Sequence, residues 1–230
     1  MRKPVYLIYR KLFKYFGPQY WWPADSPFEV IIGAILTQNT SWQNVEKAII
    51  NLKKDRLLSA KKLYSLPAEE LAKRIRPAGY YNIKAKRVKA FLTFFFQNYR
   101  GNIKRISAAN TKKLRQELLD VNGIGKETAD SILLYALNKP VFVVDAYTKR
   151  ILARHHFIKE DADYDKVQGI FRQNLKTDIR LFNEYHALLV KLGKDFCLKR
   201  RPKCDTCPLK RQKTKGKRQN LTSRSKTLNS

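Results

Sequence analysis

The sequence predicts an all-α fold, and three observations carry that reading. Apolar residues recur at helical spacing, as in Ala129, Ile132, Leu133, Ala136 and Leu137, which follow the i, i+3, i+4, i+7 rule. A helix start is written into Ser26-Pro27-Phe28-Glu29, with serine at the N-cap, proline at the first helical position and glutamate at the third, the pattern of a capping box. Strand signals are nearly absent; the run Val141 to Val144 is too isolated to build a sheet.

Taken in order, residues 4–16 read as an amphipathic helix with Tyr6, Leu7, Leu12, Phe13 and Phe16 on its apolar side, stopped by Gly17-Pro18. Tyr20-Trp21-Trp22-Pro23 reads as a loop, with Pro23 favouring an extended backbone at Trp22. Its indoles are either plugs between packed elements or the wall of a pocket. A nearly all-apolar helix follows from Phe28 to Leu36, then a polar tip at Gln38-Asn39, then a second box-like start at Thr40-Ser41-Trp42-Gln43. Helices are expected at 41–53, 59–64, 67–75 and 83–98. The last carries Ile83, Val88, Phe91, Leu92, Phe95 and Phe96 inward, and Lys84, Lys86, Arg87 and Lys89 either on a solvated face or toward a phosphate.

The centre of the chain is Val121-Asn122-Gly123-Ile124-Gly125-Lys126. Two glycines at this spacing permit a tight turn with positive φ and bare backbone N–H groups. Asn110 is a suitable N-cap for a helix over Thr111 to Leu119. The helix after the turn begins at a glycine-rich loop, so its free N–H groups form a seat for phosphate. The run Val141 to Val144 then delivers Asp145, which suits an N-cap, and helices are expected near 146–154, 163–175 and 179–195.

The chain has 230 residues, 48 of them Lys or Arg against 19 Asp or Glu, for a formal charge of +29. Charge of this size speaks to partners rather than fold, and polyanions are the obvious ones. A membrane surface is the other reading, but no strong basic amphipathic anchor stands out. No apolar run approaches the roughly 18–20 residues of a spanning helix, and Met1 to Phe16 is unlike a secretory signal. Three clustered cysteines do not make a disulfide framework. These features suggest a cytoplasmic, nucleoid-associated protein. The tail, residues 210–230, is basic, lacks acids and is expected to be disordered.

Four stretches together carry a family resemblance. Gly123-Ile124-Gly125-Lys126-Glu127-Thr128-Ala129, with Val144-Asp145 further on, resembles the signature of the helix-hairpin-helix (HhH-GPD) DNA glycosylases of the endonuclease III superfamily. Leu36-Thr37-Gln38-Asn39-Thr40 is similar to the family's LTQNT segment, and Gly79-Tyr80-Tyr81-Asn82-Ile83-Lys84-Ala85 to its GxYNxKA turn. Cys197-x6-Cys204-x2-Cys207 is similar to the start of its iron–sulfur loop. The resemblance spans roughly residues 20–210. It implies a two-lobed, all-α glycosylase fold with a cleft between a six-helix barrel (28–137, ending in the helix-hairpin-helix) and a discontinuous second helical lobe (1–27 with 138–209) that carries the degenerate iron–sulfur loop.

The resemblance also assigns roles. Asp145 matches the family's essential carboxylate, which stabilises the positive charge that develops on the deoxyribose. Gln38 matches the residue that enters the duplex where the target base has left; Asn39, and Asn122, Gly123, Ile124, Gly125 and Lys126 of the hairpin, are the other expected DNA contacts. Glu127 stands where the family's lyase members have a Schiff-base lysine, and a carboxylate forms no imine. Lys126 is one residue earlier, turned by about 100°. The expectation is a glycosylase without AP-lyase activity that flips and hydrolytically removes a damaged base. Glu127, together with Trp-Trp-Pro before the second helix, looks like the 3-methyladenine glycosylase III branch, so alkylated purines are the leading substrate. Trp21, Trp22, Pro23, Trp42, Glu127 and Lys194 are the expected base pocket, with aromatic faces that suit a cationic base. His186 is read as packing. A mismatch, uracil or oxidised-base glycosylase is the alternative within the class, and a DNA-binding relative without catalysis the alternative outside it.

Four thiolates hold a [4Fe–4S] cluster. Here Cys197, Cys204 and Cys207 are present, but Lys213 occupies the place of the fourth. The site is either lost or completed by a non-protein ligand, and the chemistry requires no cofactor. The expected partner is double-stranded DNA containing a damaged base, with no membrane and no obligate protein partner.

Overall fold

The computed structural model describes residues 4–210. The expected disorder of the tail therefore lies, from Arg211 onward, outside the described residues. All regular structure among the described residues is helical, and Val141–Val144 forms no strand.

Helix α1 (Pro4–Phe16) is followed by a loop and then by α2 (Pro27–Leu36), whose Phe28 through Leu36 are all buried. Ser26 Oγ accepts from the Glu29 amide, but the reciprocal half of the capping box is missing. Glu29 Oε2 accepts from Asp25 N at 3.1 Å, and Oε1 pairs with Lys53 at 2.7 Å. Residues of α2 with no exposed surface, such as Ile31, Ile32 and Ile35, each contribute roughly 1.5–3 kcal/mol by burial. Helix α3 (Trp42–Lys54) starts at Ser41 without a side-chain cap, so the box-like reading of that start is corrected. Thr40 Oγ1 instead accepts from Asn44 Nδ2 at 3.2 Å.

Helices α4 (Ala60–Ser65), α5 (Ala68–Arg74) and α6 (Tyr81–Tyr99) follow, with a short 3₁₀ turn at Arg76–Ala78. Two α6 lysines expected on a solvated or phosphate-facing surface do something else. Lys84 is buried and donates to Ala78 O at 2.7 Å, with burial and then Arg87 pulling its pKa down to about 8. Lys89 donates to the carbonyls of Leu63 and Leu66 at 3.2 and 2.9 Å, and to that of Tyr64. Both ammonium groups satisfy carbonyl oxygens at turns and helix ends, which the sequence could not place beside them. Helix α7 (Ile103–Ala108), capped by Asn102, was not foreseen; its apolar content is too short to show a period.

Helix α8 (Thr111–Leu119) is capped by Asn110 as expected. After the hairpin comes α9 (Lys126–Ser131), which does not continue as a regular α-helix: Ile132–Ala136 widen into a π-turn, with Leu137 N donating to Ile132 O at 3.1 Å. Helices α10 (Ala146–Arg154), α11 (Tyr164–Asn174) and α12 (Ile179–Asp195) complete the chain.

Buried apolar residues gather in two clusters. One draws on α2 through α9 and the π-turn, from Phe28 to Leu137. The other joins Val5, Ile8 and Leu12 of α1 to Leu134 and to residues between Phe142 and Leu209. Thus α1 packs against α11 and α12, far along the chain, and Tyr185 seals the contact by donating to Val5 O at 2.8 Å. A buried polar knot ties the hairpin helices to α11. Asp130, with no exposed surface, accepts from Arg115 Nε and Nη2 at 2.7 and 3.0 Å, from the Tyr164 hydroxyl at 2.8 Å and from Gln168 at 2.7 Å.

Candidate active site

A cavity of about 1180 Å³ is lined by residues of both clusters. Its rim is the hairpin. Gly123 has φ 86, and a Cβ there would meet Arg87 Cγ at 2.3 Å, so the glycine makes room both for the turn and for the arginine stem crossing it. Gly125 corrects the sequence reading: its φ is −89, an extended N-cap for α9, and a side chain there would meet nothing within 4 Å. One glycine makes the turn, and the other leaves an open surface. Gln38 reaches the same place from the end of α2, donating to Gly123 O and Thr128 Oγ1, both at 2.9 Å, while its carbonyl oxygen accepts from Arg87. In this state Gln38 is a strut between α2 and the hairpin. Asn39 beside it takes φ 53.

One wall of the cavity is aromatic. Trp22 does not take the extended backbone expected before proline; its φ is 67. The residue before a proline favours extended backbone, and docking of the indole against α2 overrides that preference here. The Trp22 ring lies over Gly33 of α2, where a Cβ would come within 3.4 Å of it, and packs 5.3 Å from Trp42 and 5.1 Å from Tyr135 between ring centres. Trp21 sits under Lys194, whose ammonium is 5.7 Å from the ring centre. These three tryptophans and Lys194 all line the cavity, whereas Pro23 does not.

The floor holds the titratable groups. Asp145 is the N-cap of α10, Oδ1 accepting from Thr148 N at 2.7 Å. Its other oxygen is 3.6 Å from Nε2 of His186, which comes from α12. Burial alone would push the Asp145 carboxyl up, but the nearby imidazole and the Thr148 amide more than offset it and hold it below the ordinary carboxylate range. Glu127 opens into the cavity from the first turn of α9. Glu127 keeps solvent-exposed surface; partial desolvation beside the cavity walls, then the Asp145 charge, pushes its carboxyl up to about 7, with His186 pulling the other way. The two carboxyls are thus set apart in proton affinity. Tyr135, projected from the π-turn, bonds to His186 Nδ1. Burial and then Asp145 raise its phenol well above the usual range.

Of the residues expected at the site, the cavity brings together Trp21, Trp22, Trp42, Glu127, Asp145 and Lys194 with Gln38, Asn39 and hairpin residues Asn122 to Gly125. Lys126 points away and pairs with Asp165 at 2.6 Å. His186 and Tyr135 are the functional candidates that sequence reasoning passed over. The usable signal was a lone polar tip in each apolar run, Leu-Tyr-Ala and Tyr-His-Ala-Leu-Leu.

Among the described residues no three His, Cys, Asp or Glu side chains are placed to hold an ion. Cys197 is buried and Cys204 exposed. Arg154 Nη1 donates to Cys197 Sγ at 3.3 Å, and four thiolates are needed where the chain has three. The residues present do not fit an iron–sulfur cluster. Arginine donors order the loop instead: Arg150 reaches the carbonyl of Cys197, and Arg154 those of Leu198 and Lys199, at 2.7–3.0 Å.

Residues 32–177, more than half the chain, match the HhH-GPD superfamily of base excision DNA repair proteins. The chain belongs to that superfamily. As an HhH-GPD protein it is similar to a Methanocaldococcus jannaschii protein provisionally described as a DNA repair glycosylase, with 52% identity over 90% of this chain and 94% of the relative. The solved structure of H. pylori 3-methyladenine DNA glycosylase bound to 1,N6-ethenoadenine matches with TM-score 0.73 and 30% identity, over 83% of this chain and 97% of that one. A trapped endonuclease III–DNA covalent intermediate matches in fold, with TM-score 0.77 at 21% identity over 91% and 93%. This HhH-GPD protein is a DNA glycosylase of base excision repair, and no helix among its described residues is long and apolar enough to cross a membrane.

Proposed function

We propose that this chain is a monofunctional DNA glycosylase that takes a damaged base out of double-stranded DNA and hydrolyses its glycosidic bond, with alkylated purines such as 3-methyladenine as substrates. The carrying observation is that Glu127 and Asp145 line the same aromatic-walled cavity. The family's lyase step needs an amine where Glu127 stands, and a carboxylate supplies none. Asp145, ionised and buried, is suited to stabilising the sugar cation and aligning water. Trp21, Trp22 and Trp42 offer faces to a cationic purine, and an ionised Glu127 adds a complementary charge. The likeness to a 3-methyladenine glycosylase supports the substrate class.

On this reading, residues 28–137 form the barrel lobe and residues 1–27 with 138–209 the second lobe, the base entering between them. The hairpin amides of residues 122–126 clamp the phosphate backbone, and Gln38, released from its strut, fills the vacated duplex space. Base release from duplexes carrying methylated, deaminated or oxidised bases, run with borohydride present, tests the proposal. Methylated purines should be released, abasic sites should accumulate and no covalent adduct should be trapped. Robust uracil release with a trapped adduct would replace this reading with a bifunctional one of broader range.

A further inference from the structure

We propose that His186, fixed by Tyr135, is a positioning residue for Asp145: its imidazole orients the carboxylate and shares its charge inside the cavity. The inference rests on the reading of Asp145 given above. Asp145 has two oxygens, and the α10 cap uses one of them. The other faces His186 Nε2 at 3.6 Å. Nε2 is buried and has no hydrogen-bond partner at closer range, and a buried N–H left unpaired is costly. A shift of a few tenths of an ångström closes the bond, and catalytic hydrogen bonds commonly tighten when the site is loaded.

The tautomer follows from the Asp145 side of the ring. Nε2 faces an ionised carboxylate, which can only accept, so the ring proton sits on Nε2 and Nδ1 accepts from the Tyr135 hydroxyl. The π-turn delivers this hydroxyl, and such bulges recur at functional sites. The ring of Tyr135 is in turn packed by Trp22, so the aromatic wall and the Asp145 support are one assembly. The groups facing Asp145 are Glu127 from α9, Tyr135 from the π-turn and His186 from α12; Lys194 lines the same cavity. Without His186, Asp145 would share its enclosure with Glu127 and no partner on its free oxygen. Like charges so placed force one carboxyl to take a proton.

The test is the pH profile of single-turnover release from a duplex carrying 3-methyladenine, between about pH 3 and 9, with DNA affinity measured in parallel. For His186→Leu the acid limb should move up by about one pH unit, so release below the old limb falls about tenfold and recovers toward wild type at higher pH. His186→Gln, which keeps an N–H near Asp145, should hold the limb near its wild-type position. Tyr135→Phe keeps the ring and loses only the hydroxyl; it should move the limb in the same direction by less, and it carries the test if the leucine variant fails to fold. A uniform loss at every pH in His186→Leu, or a Tyr135→Phe profile that overlays wild type, overturns the inference. Asp145→Asn separates the two levels: if it still releases base at the wild-type rate the active-site reading itself is wrong, whereas an inactive Asp145→Asn beside an unmoved His186→Leu limb defeats only the positioning role.

Discussion

Glu127 is the residue whose chemistry should be most visible in solution. Its carboxyl is raised to about 7, so it is largely neutral below that pH and ionised above it. Binding of a cationic base should therefore strengthen as pH rises through about 7, and Glu127→Gln should flatten that dependence. The KM of release against pH, from wild type and variant, checks it. Stability runs with the opposite sign. A carboxyl raised in the folded state favours folding at low pH and loses that contribution as pH rises through the folded value. Glu127→Gln should thus raise Tm on the alkaline side relative to wild type, by differential scanning at about pH 4.5 and about pH 9. At Asp145 the expected loss is larger. Asp145→Asn removes the charge that faces the sugar cation, and a decrease in single-turnover rate of about 10²–10³ or more is the scale of such electrostatic contributions.

Single elements carry consequences of their own. The Trp22 seat exists because Gly33 leaves α2 without a side chain at the contact. Gly33→Val should overpack it, costing about 1–3 kcal/mol and displacing the aromatic wall; denaturant unfolding and base release should fall together. The knot at Asp130 is of another kind. Asp130→Ala removes the shared acceptor of Arg115, Tyr164 and Gln168, leaving Arg115 with Asp165 at 3.4 Å, and should cost about 3 kcal/mol in urea unfolding, while leaving the chemistry of the cavity groups intact in whatever fraction folds.

The element scale also shows what was legible in the sequence. Helices with a buried stripe and an Asn, Ser or Asp cap, such as α2, α8 and α10, are visible because period and cap are both local. Asp145 and Glu127 were legible through the resemblance. The π-turn was not, since Ile-Leu-Leu-Tyr-Ala reads equally well as an ordinary helix, and a bulge is decided by tertiary packing. Nor was the left-handed Trp22, or the use of Lys84 and Lys89 as internal donors to carbonyl oxygens, because their partners come from other segments. His186 failed as a sequence signal for the same reason: its meaning depends on an oxygen 41 positions away that only folding brings near.

For the molecule as a whole, the formal charge of +29 sets the ionic-strength behaviour. Several phosphates should be neutralised at once, so log affinity for undamaged duplex should fall linearly with log salt, with a slope near −0.9 per phosphate contacted. Binding titrations at several salt concentrations check this; a flat response would contradict a phosphate-dominated interface. Gly125→Val should weaken binding to damaged and undamaged duplex alike, because it blocks an open backbone surface at the cavity rim.

Position 127 has a meaning in the language of codons. Both glutamate codons become lysine codons by a single G-to-A change, so the carboxylate that opens into this cavity is always one point mutation from an amine. The partial desolvation that raises the Glu127 carboxyl would lower a lysine's pKa, toward the neutral nucleophile, while Asp145 alongside would pull it back toward the ammonium. Inheritance at this site therefore poses a recurring contest between two chemistries. The walls of the cavity, rather than the codon, decide how reactive the newcomer would be.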